Sequence, residues 1–220
     1  MMRDHRSKAG GTGMAALVRF LDGWVTLNHR LAPWLARAGG AMVLASALLI
    51  TLDVVLRAGL RVTIGGADEL AGYAFAIATT WGLAFVLMDR GHVRVDALYA
   101  LLPRRLQAWL DVLSLTAMTV ILALFAHRAT GVLLDSLTFG ARANTPLGTP
   151  QWLPQSLWLA GFAATLSAVL PLLGRCLLAA MQGDLQTVRT LAGARTLEED
   201  AAAESGHVRA TPATAPSPLP

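Results

Sequence analysis

The chain has 220 residues, of which 55% are hydrophobic and 15% charged, with a formal net charge of +4. That balance suits lipid as solvent and excludes an ordinary soluble globule. The isoelectric point of 10.2 comes from cations split among separate loops, so no basic stripe for nucleic acid forms, and the single Cys176 excludes an intramolecular disulfide or a thiolate metal cluster.

In chain order, residues 1–13 carry Arg3, Arg6 and Lys8 and read as a disordered N-terminus. They are not the start of a cleavable signal, because Arg19 and Asp22 break the apolar run that follows. Residues 14–37 read as an amphipathic helix on the membrane surface. Leu17, Leu21, Trp24, Leu31 and Trp34 recur near helical spacing, with Arg19, Asp22, His29, Arg30 and Arg37 largely opposite. Pro33 is expected to kink or divide it. A four-helix transmembrane domain over 38–182 follows, with spans at about 39–60, 68–88, 106–137 and 154–181. Each is long enough for a hydrocarbon core of ~30 Å, which takes ~20 helical residues. Residues 183–220 read as a largely disordered cytoplasmic tail rich in Ala, Pro, Thr and Glu.

Orientation follows from the cations. With the N-terminus inside, 14 Lys and Arg fall on inner segments and three (Arg57, Arg61, Arg142) on outer loops, Arg128 lying within a span. The positive-inside rule therefore predicts N-in, C-in.

Within span one, Asp53 and Arg57 are four residues apart and predict a local ion pair. Span two opens with Gly65-Gly66-Ala67-Asp68-Glu69. The helix dipole accounts for Asp68, whereas Glu69, an acid at membrane depth, is a candidate for subunit contact. Trp81, in mid-helix, is expected to pack against protein. In span three, Asp111 and Arg128 lie 17 residues apart and approach opposite interfaces. Pro146, Pro150 and Pro154 forbid regular helix before span four and set up a structured turn. Trp152 and Trp158 suit the outer interface, and Pro171 kinks span four or marks its inner end.

Between spans two and three, Arg90-Gly91-His92-Val93-Arg94-Val95-Asp96 is followed by Leu102-Pro103-Arg104-Arg105. Gly91 lets the chain turn, and Asp96 is placed to cap a short helix over 97–102. Extended backbone puts His92, Arg94 and Asp96 on one side, while helical backbone pairs Arg90 with Arg94 and His92 with Asp96. This loop, the acid opening span two, Thr145-Pro146-Leu147, and Pro150-Gln151-Trp152 together resemble the small, four-helix permease subunit of TRAP (tripartite ATP-independent periplasmic) transporters. The resemblance covers about residues 40–180 and leaves out the N-terminal 35 residues and the tail.

The resemblance implies an all-α membrane protein of the bacterial inner membrane, working beside a large permease subunit that holds the substrate and sodium sites. It implies a periplasmic binding protein that delivers a carboxylate-type solute, a scaffold role for this chain, and neither enzymatic activity nor a cofactor of its own. Arg90, Gly91, His92, Arg94 and Asp96 would then form the cytoplasmic loop network facing the partner or lipid headgroups. Glu69, Arg142, Trp152 and Gln155 are the candidates on the periplasmic side. No span carries the unwound Gly/Pro midpoint of a midplane substrate site. The alternatives are a small transporter sufficient by itself and a haem-anchoring subunit. For the latter, His92 and His127 are the available ligands, and the topology sets them toward opposite faces.

Overall fold

In hydrocarbon every backbone N–H and C=O needs an internal partner, and an apolar run meets that need as a helix. The computed structural model describes residues 4–89 and 102–193. Among them are five helices: α1 (Asp4–Leu60), α2 (Ala67–Met88), α3 (Arg104–Thr138), α4 (Trp152–Met181) and α5 (Leu185–Ala192). The first four are long and apolar enough to cross a membrane. Helix α4 is the hub: α1, α2, α3 and α5 all pack on it, and α1 also packs along α2.

Close approach of backbones sets the crossings. A Cβ on Gly161 of α4 would sit 2.3 Å from the Thr80 hydroxyl and 2.8 Å from the Thr80 carbonyl carbon of α2. Only glycine permits that contact, and small residues are how helices associate where no hydrophobic force drives them together. Next to the crossing, the Trp81 indole donates to the Leu157 carbonyl at 2.9 Å, so Trp81 does face protein. On the far side of α2, Gly39 lies against Ala78, with a would-be Cβ 3.1 Å from its Cα. Much of the remaining surface is apolar and exposed, including Leu44, Leu48, Val55, Leu113, Leu124 and Phe125, as a lipid-facing surface must be.

Helix ends follow local rules. Gly140 (φ 59) and Gly183 (φ 75) adopt the left-handed conformation just past α3 and α4. In each case the next residue donates back to the helix, Ala141 N–H to Ser136 at 3.0 Å and Asp184 N–H to Ala179 at 2.9 Å.

Three features narrow the sequence reading. The helix is not divided at Pro33: α1 runs 57 residues through it, about 85 Å of helix. Its early part does not lie alone on a surface either. Residues 21–28 run along α4, where Asp22 pairs with Arg175 at 2.5 Å and Asn28 is buried. Second, Pro171 does not end α4, which continues ten residues to Met181. Third, part of the expected disordered tail, Leu185–Ala192, is helical. Asp184 caps it by accepting from Thr187 N–H at 3.1 Å, and Val188 and Ala192 are buried against α3 and α4.

Candidate functional site

A cluster of hydrogen-bonded polar groups lies where α1 and α3 end and α2 and α4 begin. Glu69 stands in the first turn of α2. One carboxylate oxygen accepts from the Tyr73 hydroxyl, one turn on, at 2.8 Å. The other accepts from the Thr145 hydroxyl, 76 residues away in the α3–α4 connection. Thr149 lies beside the same carboxylate. Gln151 extends the chain by donating to the Tyr73 hydroxyl at 3.4 Å.

The α3–α4 connection is built to present Thr145. Ala143 N–H donates to Thr149 at 2.9 Å, and Gln151 N–H to Ala141 at 3.0 Å, making a short hairpin with a bridge between Arg142 and Pro150. At its tip Gly148 N–H closes a four-residue turn on the Thr145 carbonyl at 3.0 Å, with Pro146 in the second position, where its fixed φ suits the turn. Leu147 then lies over Gly66, whose would-be Cβ would meet it at 3.1 Å. Each residue of Thr145-Pro146-Leu147 therefore has a job: bond the acid, make the turn, cover the glycine.

A second carboxylate works alike on the α1–α2 connection. Asp53 is buried and accepts from the Thr63 hydroxyl at 2.8 Å and from Ile64 N–H at 2.6 Å. It also holds the predicted ion pair with the largely exposed Arg57. The ion pair was visible from the i, i+4 spacing; the capture of the loop was not.

Of the candidate residues, Glu69 is at the centre of the cluster. Arg142 braces the hairpin from within, donating to the Gly148 carbonyl at 3.3 Å. Trp152 begins α4 and is 41% exposed, clear of the Glu69 bonds. Gln155 lines a small cleft of 190 Å³ with Tyr73, Ala76, Gln151, Pro154 and Trp158, and its side-chain oxygen is buried without a hydrogen bond. Arg90, Gly91, His92, Arg94 and Asp96 lie outside the described residues. Sequence reasoning missed Tyr73, Thr145 and Gln151 as partners of Glu69, though Tyr73 at i+4 was a readable signal.

Chemically, this end is a pair of clamps. Two carboxylates spend their lone pairs on hydroxyls and a backbone amide of the loops, and Glu69 has no cationic partner among the described residues. Nor do the described residues bring together three metal-ligating side chains.

Residues 46–178 match the family described as Tripartite ATP-independent periplasmic transporters, DctQ component. The chain belongs to this family. Its members are the small membrane subunits of TRAP transporters, and the match spans both carboxylate clamps and all of the α2–α4 crossing. The chain is thus a transporter component and not an enzyme. Searches of curated proteins and of solved structures find no match.

Proposed function

We propose that this DctQ-family chain is the fixed scaffold of a TRAP transporter. It acts beside a large permease subunit that carries the substrate and sodium sites, in uptake of a carboxylate-type solute delivered by a periplasmic binding protein. The reading places it in the bacterial inner membrane with both termini in the cytoplasm, which puts the two clamps on the periplasmic side. One observation carries it: the carboxylates at that end, Asp53 and Glu69, are bonded to the chain's own loops. Helices α2 and α4 run unbroken, leaving no unwound segment of the kind that coordinates ions at a transporter midplane. A clamp holds shape; it does not bind and release cargo.

On this reading the hairpin with Arg142 and the exposed Trp152 offers a preformed periplasmic surface to the binding protein. Arg90, His92, Arg94 and Asp96 serve the cytoplasmic contact with the large subunit or lipid headgroups. Replacing Asp96 by Ala, or Arg94 by Glu, then lowers assembly or uptake without altering which solute is preferred; a changed preference would assign this chain a share of the binding site. The direct test is purification of the tagged chain from native membranes in mild detergent, with mass spectrometry of what accompanies it. A stoichiometric, much larger polytopic protein is the expected companion. A chain that purifies alone, from membranes holding that larger protein, contradicts the scaffold role.

A further inference from the structure

Pro171 sits inside α4 and has no N–H, so the carbonyl four residues earlier, on Ser167, is deprived of its helical donor. In an apolar setting an unbonded carbonyl is costly, and in spanning helices neighbouring groups take over such freed acceptors. Here the replacements come from α1. The Trp24 indole donates to the Ser167 carbonyl at 2.9 Å, and the Asn28 amide donates to the same oxygen at 3.1 Å. The Ser167 hydroxyl returns a bond to the Asn28 side-chain oxygen at 2.9 Å. Asn28 is 7% exposed, and its amide also bonds Trp24 C=O within α1 at 3.0 Å, which holds the two donors in register.

We propose that Pro171 creates, and Trp24 and Asn28 occupy, an intramembrane latch that fixes the early part of α1 on α4. The surroundings supply no substitute. The adjoining cleft of 350 Å³ is lined by Phe20, Leu21, Trp24, Ser167, Leu170 and Pro171, so apart from the latch members it is apolar. Leu21 lies over Gly174, 3.5 Å from a would-be Cβ, and the Asp22–Arg175 pair closes the contact one residue further on. Trp24 and Asn28 are positioning residues: they make the segment before Gly39 move with α4, extending the rigid body beyond the crossings with α2.

Crosslinking tests this on the full chain in its native membranes. Cysteines at Leu21→Cys and Gly174→Cys, with Cys176→Ala, report docking by disulfide yield on mild oxidation. At about threefold per intramembrane hydrogen bond, Trp24→Phe with Asn28→Leu, which removes three such bonds, should lower the yield roughly twentyfold. Pro171→Ala should lower it as well, although alanine is the best helix former, because residue 171 regains an N–H that competes for the Ser167 carbonyl. In the Pro171→Ala background the Trp24/Asn28 pair of substitutions should then cost only about threefold, from the remaining Ser167 hydroxyl bond. Unchanged yield in either single background overturns the latch. So does an equal loss in both backgrounds, which is what general misfolding or simple packing would give.

Discussion

The two ends of this molecule solve the same problem with different chemistry. Where α1 and α3 end and α2 and α4 begin, loops are held by carboxyl groups, Asp53 and Glu69, through hydroxyls and a backbone amide. Along the lower half of α4, a helix is held mainly by uncharged groups, an indole and an amide on a freed carbonyl. The difference follows from the surroundings. Glu69 stands at a helix N-terminus, where the dipole favours a carboxylate, and the buried Asp53 is offset by Arg57, Thr63 and Ile64 N–H. Among apolar side chains, by contrast, an unpaired ion is expensive and a neutral donor is not. Rigidity therefore has a separate source at each end, and the two are joined through the continuous α1 and the glycine-mediated crossing of α2 and α4.

The largest effect should come from that join. Gly161→Ala forces a Cβ against Thr80 backbone, so it should destabilise by about 1–3 kcal/mol, and Gly161→Leu by more. Thermal unfolding of the purified chain measures it; a neutral Gly161→Leu would mean the crossing is not the shared axis. Next, Glu69→Ala should lower the melting temperature by a few degrees and raise protease cutting at the α3–α4 hairpin, while the Leu21–Gly174 crosslink stays as it was. If that crosslink falls too, the two ends are coupled and are not held independently. Thr145→Val removes one of the bonds on Glu69 and should give a smaller loss at the same hairpin, readable by hydrogen exchange.

The smallest effect concerns α5. The Thr187 hydroxyl, and then its N–H, hold the exposed Asp184 carboxyl below its ordinary value. A depressed carboxylate stabilises the fold at pH above the unfolded value near 3.8 and stops doing so as pH falls through the lower folded value. The protection factors of amides over residues 185–192 should therefore be unchanged between pH 7 and 5 and fall only in stronger acid. Asp184→Ala should show the lower protection at every pH.

The four apolar helices were legible because gaps in the charge pattern and punctuation by Gly and Pro are local signals. Local too was the Asp53–Arg57 pair. The clamps and the latch were not, since each joins residues far apart in the chain: Glu69 with Thr145 across 76 positions, Asn28 with Ser167 across 139. A proline announces which carbonyl it frees but not who will take it. Helix α5 was within reach, as Asp184, Leu185, Val188 and Ala192 form a cap followed by helical spacing; the compositional bias of the longer tail concealed it.

On this reading the chain shapes a transporter without carrying the cargo. The most direct measurement is solute uptake by proteoliposomes containing the large subunit, with binding protein and sodium supplied, in the presence and absence of this chain. Uptake that needs the chain, falls in rate with Glu69→Ala and keeps its solute preference is the predicted result. Uptake by liposomes holding this chain alone would contradict it.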